Sequence, residues 1–159
     1  MDDLRFDAAT IADLDALLAL ARAFHAEDGH ALSQAGAGAL AAVAGGEPLA
    51  RCWLVRQGGV AVGYIVLSLG FSIEHGGRDG FIDDLYLVPA ARGLGIGRAL
   101  LAFAVAEAEK LGIRVLHLEV EPGNERAQGL YRRNGFNESG RRLMSRRLAS
   151  LRVARAEPA

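Results

Sequence analysis

Three glycines at alternate positions, Gly93, Gly95 and Gly97, separate the run Leu85-Tyr86-Leu87-Val88-Pro89 from a long stretch with one apolar face. Proline cannot donate to a strand ladder, so Pro89 ends a strand, and the glycines open the helix that follows. A helix start carries four N–H groups without internal partners, and the helix dipole adds positive potential there. Glycines let an anion approach those groups, and Arg92 and Arg98 bring charge that suits phosphate oxygens. The spacing is not that of a Gly-x-Gly-x-x-Gly dinucleotide loop: the sixth position is Arg98 counted from Gly93 and Leu100 counted from Gly95. No Gly-Lys-Ser or Gly-Lys-Thr of a Walker loop occurs. A tight strand-to-helix connection with no ligand is the alternative reason for the same glycines.

Other residue types suit proton transfer. Asp83 and Asp84 are adjacent on the strand before Pro89, and adjacent strand residues point to opposite faces, so one of them should face a substrate. Tyr131 can donate a proton from its phenol or pack its ring on a sheet. Asn124 stands where it can cap a helix. Glu74, His117 and Glu119 are reserve bases. His25, His30, His75 and His117 show no metal-ligand spacing, and no metal is expected. Cys52, the lone cysteine, permits no internal disulfide and reads as a small buried thiol in a reducing compartment.

These residues need elements to hold them. Residues 4–6 read as a strand. Thr10 is placed to cap a helix running to about Ala26, with Ile11, Leu14, Leu17, Leu18 and Ala21 at helical spacing. A second helix is predicted over 33–43. Strands over 51–56 and 60–71 flank the Gln57-Gly58-Gly59 turn, and a third spans 81–88. The clearest helix covers 95–111, followed by a strand over 115–120 and a helix over 125–133. Two closing strands are predicted, around Phe136 and over 142–148. If the strands ending at 88 and 120 are parallel neighbours, they can splay at their C-terminal ends and admit a long amide-bearing ligand.

The chain has 159 residues and a mass of 16.8 kDa, with 51% hydrophobic residues, enough for one core. One domain over 1–150 and a short tail over 151–159 are expected. No uninterrupted apolar run is long enough for a membrane span, and Met1-Asp2-Asp3 does not resemble a secretory leader, so a cytoplasmic location is expected. The net charge of −1 disfavours a nucleic-acid partner, although residues 1–50 carry −6 and the remainder +5. The paired arginines late in the chain lack the aromatic interleaving of a nucleic-acid surface.

Arg92-x-x-Gly95-x-Gly97 opening a long helix resembles the acetyl-coenzyme A motif of the GCN5-related N-acetyltransferase (GNAT) superfamily. Asn124, Ala127, Tyr131, Gly135 and Phe136 resemble the second conserved block of that superfamily. The resemblance covers nearly the whole chain. It implies an α/β fold with a mixed, mostly antiparallel sheet of about seven strands flanked by about four helices. It also implies direct acetyl transfer from acetyl-CoA to an amine in a ternary complex. On that basis Leu85, Tyr86, Leu87, Arg92, Gly93, Leu94, Gly95, Ile96, Gly97, Arg98, Asn124 and Tyr131 are expected to hold the cofactor. Tyr131 would be the acid. Asp83 resembles the base position of diamine and polyamine acetyltransferases, except that those enzymes carry glutamate there. Glu27, Asp28, Glu74 and Asp84 would bind a small cationic amine. A protein or peptide acetyltransferase and a non-catalytic acyl-CoA-binding module remain alternatives. A homodimer through the last strands is expected by analogy.

Overall fold

The computed structural model describes residues 3–148. Its sheet has five strands in the order β1 (Leu4–Ala8), β2 (Ala50–Gln57), β3 (Val60–Ser72), β4 (Gly77–Leu87) and β5 (Val115–Leu118). The first four are antiparallel neighbours, and β5 lies parallel to β4. Helices α1 (Leu14–Glu27) and α2 (Gln34–Ala44) precede β2, α3 (Ile96–Lys110) crosses from β4 to β5, and α4 (Glu125–Arg133) follows β5.

Alternation along the strands builds two cores. Cys52, Leu54, Tyr64, Val66 and Tyr86 face α1 and α2, where they meet Leu17, Leu20, Ala21 and Leu40. Trp53, Val55, Ile65, Leu67 and Ile82 face the other way, onto Leu100, Leu101, Ala104 and Ala108 of α3. That period of two is the expected pattern for strands covered on both faces. α3 buries the face read from its spacing. α2 starts after Ser33, whose Oγ accepts the Gly36 N–H at 3.0 Å.

Several boundaries differ from the sequence reading. Thr10 heads only a single 3-10 turn, Ile11–Asp13, where the Asp13 carboxylate accepts from the Thr10 N–H and hydroxyl at 3.0 and 2.9 Å. Ile11 therefore stays exposed and α1 begins at Leu14. Among the described residues the sheet holds five strands, where about seven were expected. Neither Phe136 nor residues 142–148 forms a strand. Over 142–148 the polar and apolar residues do not alternate, so no single sheet face would be apolar. Leu143, Met144 and Leu148 are exposed accordingly. The strand expected as a dimer contact is thus not formed, and the tail expected over 151–159 lies outside the described residues. No helix among the described residues is long and apolar enough to cross a membrane.

The β3–β4 register carries the feature that matters most for the site. Val66 pairs with Asp84, but the next position, Leu67, pairs with Ile82, leaving Asp83 as the extra residue of a bulge. At the other end of the pair, Gly63 lies opposite Leu87. A Cβ at Gly63 would overlap the Tyr86 carbonyl oxygen and sit 2.6 Å from Leu87 Cδ2. Gly63→Ala should therefore destabilise the protein by about 1–3 kcal/mol, the usual range for overpacking. Urea unfolding measures this, and an unchanged midpoint would show that the strand end yields freely.

Candidate active site

β4 and β5 pair at only four positions, the last being Ile82 with Leu118. β4 continues to Leu87, so its edge over 83–87 is left without a strand neighbour. The Val88 N–H bonds the Val62 carbonyl at 2.9 Å, which points it toward β3. By strand alternation the Leu87 N–H and C=O point the opposite way, out of the open edge. β5 ends at Leu118, short of the end expected at 120, and the opening inferred from the sequence arises because β4 outruns it.

Beyond Leu87 the chain makes a 3-10 turn, Pro89–Ala91, and then the glycine turn. Gly93 and Gly95 both have φ of +81°, a conformation that side chains other than glycine rarely adopt. Gly95 is the N-cap of α3, and a Cβ there would meet only open space. Gly97 has a different reason to be glycine: a Cβ there would lie 3.3 Å from Leu130 Cδ2, so it lets α4 approach α3.

The open edge, the glycine turn, the end of α1 and one face of α4 enclose a cleft of about 670 Å³. Eleven of the residues singled out from the sequence line it: Glu27, Asp28, Leu85, Tyr86, Leu87, Arg92, Gly93, Gly95, Gly97, Arg98 and Asn124. Leu94 and Ile96 do not; Leu94 is exposed and Ile96 lies in the core against α3. Asn124 does cap α4, its Oδ1 accepting the Ala127 N–H at 3.1 Å, while also facing the cleft. Arg126, Leu130 and Arg133 were missed, although their spacing of four and three residues puts them on one helix face. Arg126 and Arg133 add to Arg92 and Arg98, so four arginines line the cleft.

Arg92 is already engaged, which the sequence did not reveal. Its Nη2 donates to both Glu27 carboxylate oxygens at 2.9 and 2.7 Å, its Nε donates to the Leu87 carbonyl at 2.7 Å, and its guanidinium lies 5.3 Å from the Tyr86 ring centre. Tyr86 Oη also donates to Glu27, at 2.8 Å. The Arg92 bonds, then the Tyr86 bond, hold the Glu27 carboxyl below the usual glutamate range.

Elsewhere the expected residues separate. Glu74 pairs with Arg141 at 2.7 Å and lines a different hollow with His75, His117 and Phe136. Tyr131 does not line the main cleft. It is half-buried, and its ring packs 6.0 Å from that of Phe136. The four histidines meet as two pairs, one local and one from distant segments: His25 Nδ1 lies 3.3 Å from His30 Nδ1, and the rings of His75 and His117 lie 5.4 Å apart. Cys52 is buried, and burial pushes its thiol up to about 12, which leaves it protonated and unsuited to attack.

The two aspartates divide as the bulge dictates. Asp83, expected as the base, is solvent-exposed at the bulge. Asp84 turns to the α1 side, where the hydroxyl of fully buried Tyr64 donates to its Oδ2 at 2.8 Å. Burial, the largest cause, lifts the Asp84 carboxyl above its ordinary value; Asp83 and Asp28 add to the lift, and the Tyr64 hydrogen bond and His25 oppose it.

Fold and cleft together define an α/β protein in which a helix start opened by glycines lies beside the unpaired end of a parallel strand pair. The chain belongs to the acetyltransferase (GNAT) family, whose model matches residues 15–136. An integron cassette protein from the mobile metagenome of Cole Harbour Salt Marsh shares 41% identity with it. That structure superposes with a TM-score of 0.81, covering 92% of this chain and 91% of the other. The aminoalkylphosphonate N-acetyltransferase of Salmonella typhimurium is 32% identical over 93 residues, 58% of this chain and 60% of that protein. The ribosomal protein bS18-alanine N-acetyltransferase of Escherichia coli is 49% identical over 45 residues, 28% of this chain and 30% of that protein. The chain thus spans 57–60% of the length of the first curated relatives it matches.

A raised carboxyl pKa in the folded state means that ionising Asp84 opposes folding. That penalty is absent below the ordinary aspartate range and is fully present above the raised value. Asp84→Asn keeps an acceptor for Tyr64 Oη and removes the charge. It should raise Tm at pH 7 by on the order of 2–4 °C and leave Tm unchanged near pH 3. Thermal melts at the two pH values measure this; a Tm gain of equal size at both would exclude the ionisation penalty as its cause.

Proposed function

We propose that the protein is an acetyl-CoA-dependent N-acetyltransferase acting on the primary amine of a small cationic molecule. The observation that carries this reading is the cleft in which the open edge of β4, the glycine turn and four arginines meet the acidic end of α1. The residues fit the cofactor. The space beyond Gly95 and the arginines around it suit a diphosphate, and the alternating N–H and C=O groups over 83–87 suit an amide-bearing arm. Acetyl-CoA, when bound, supplies an acetyl thioester that a neutral amine attacks, with the CoA thiolate leaving.

The chain's own groups then have separate tasks. The outward Leu87 N–H is a backbone donor for an acyl oxygen. Asp84 takes the role expected of Asp83: it lies on the α1 side, and its raised pKa brings it nearer to the working pH of a general base. Glu27 and Asp28 make the α1 wall of the cleft attractive to a cation. Tyr131 Oη holds a proton, and burial strengthens that hold by raising its pKa; in this reading it moves off Phe136 to donate that proton. The name of the Salmonella relative, an aminoalkylphosphonate acetyltransferase, supports a small amine as acceptor. The bS18-alanine relative makes a peptide N-terminus the acceptor to compare against it.

Calorimetry with CoA and a thiol-release assay over polyamines, aminoalkylphosphonates, aminoglycosides and short peptides test the reading. Turnover only with peptides would reject the small-molecule acceptor. Gly95→Val, which forces a β-branched residue to φ +81°, should weaken CoA binding at least tenfold; undiminished affinity would remove the phosphate turn from the site. Tyr131→Phe should lower turnover by about tenfold to a hundredfold and leave CoA affinity intact. Unchanged turnover would leave Tyr131 a packing residue.

A further inference from the structure

Arg92 and Glu27 lie 65 residues apart in the chain, yet they form the most extensively bonded contact in the cleft. Three features distinguish this contact from a fold-stabilising ion pair. The side chains are 31% and 42% exposed, so water screens them and little stability rests on their pairing. Both line the cleft together with Gly93, Gly95 and Gly97, so the carboxylate shares the cleft with the N–H groups that an incoming anion would use. Arg92 also ties up the Leu87 carbonyl, one of the groups on the open strand edge. Glu27 therefore occupies the charge partner of the phosphate turn with an anion supplied by the protein itself.

We propose that Glu27 is a resident counter-ion exchanged for the cofactor's diphosphate. Binding draws Arg92 from Glu27 onto phosphate oxygens and leaves Glu27 as an unpaired carboxylate on the acceptor side of the cleft. The proposal rests on the CoA reading above. Arg92 holds Glu27 through Nη2 alone while its Nε stays on the Leu87 carbonyl, and a guanidinium N–H suits a phosphate oxygen as well as a carboxylate oxygen, so the exchange needs only a new partner for Nη2. Tyr86 Oη keeps its bond to Glu27 and stops the freed carboxylate from swinging into bulk water. The cleft thus gains a negative group facing a cationic amine only after the cofactor has arrived. Acceptor affinity is thereby linked to cofactor occupancy, and by reciprocity the acceptor strengthens cofactor binding.

The test is CoA calorimetry at low salt on the full chain carrying Glu27→Gln, Arg92→Gln or both. Glu27→Gln retains an acceptor for Tyr86 and removes the competing charge, so CoA should bind about threefold to tenfold tighter. Arg92→Gln should bind more weakly, and Glu27→Gln should bring no gain in that background. Carbon-13 NMR of the Glu27 carboxyl supplies a direct readout: its titration midpoint, held low by Arg92 in the free protein, should move up toward ordinary glutamate when CoA is added. Equal or weaker CoA binding by Glu27→Gln, a gain that persists without Arg92, or an unmoved Glu27 midpoint would each overturn the exchange. Failure of the wild-type chain to bind CoA would overturn the cofactor reading itself, and this proposal with it.

Discussion

The site depends on a strand pairing that stops. β5 follows β4 for four residues and then leaves it, while β4 runs on to Leu87. Backbone groups in a folded protein must find partners, and a ladder that ends early leaves a row of them facing open space. One is taken within the chain, where the Leu87 carbonyl accepts from Arg92. The others face the cleft. The constraint extends to both sides. Gly63 has no side chain because its backbone must press against the end of β4. Gly97 has none because α4 closes the cleft by packing over the start of α3. Two glycines outside the two left-handed turn positions are thus as tied to the cleft as Gly93 and Gly95.

The bulge at Asp83 is the second determinant. One extra residue in β4 changes the phase of everything after it. Asp84 and Tyr86 turn toward α1, and Leu85 and Leu87 turn toward α3. Without the bulge the carboxylate beneath α1 would be Asp83, and Tyr86 could not reach Glu27. Strict alternation, the rule applied to the sequence, correctly separates the two aspartates onto different surroundings. It cannot say which one lies inside, because a bulge leaves no compositional mark in Ile82-Asp83-Asp84-Leu85.

Much of the fold was legible because its signals are local. The 3.6-residue spacing from Ile96 to Ala108 and the stop at Gly112 place α3 within a residue or two of its observed ends. Asn124 and Asn134-Gly135 bracket α4, whose observed ends, Glu125–Arg133, match the reading. The glycine turn was legible for the same reason. The illegible parts are long-range. The Glu27–Arg92 bond, the His75–His117 pair and the bulge register all depend on which distant segments meet. The strand expected over 142–148 failed for a different cause: its polar and apolar residues do not alternate, so neither face of a strand there would be apolar.

The charge asymmetry of the chain acquires meaning at the cleft, where the acidic N-terminal third meets the basic remainder through Glu27 and Arg92. It also sets a difficulty for a cationic substrate, since carboxylates that attract an ammonium hold its proton more tightly. An arriving cation would also offset the repulsion from Asp83 and Asp28 that helps to lift Asp84. What it would not offset is burial, the largest cause of that lift. Asp84 lies opposite Val66 in the register and against the fully buried Tyr64, so its surroundings stay poorly hydrated whatever charge enters the cleft. A base raised chiefly by charge repulsion would weaken as its substrate arrived. One raised chiefly by its apolar bed keeps most of its proton affinity, so in the reading that makes Asp84 the base, the packing beneath α1, more than the surface charge above it, decides whether proton transfer is possible.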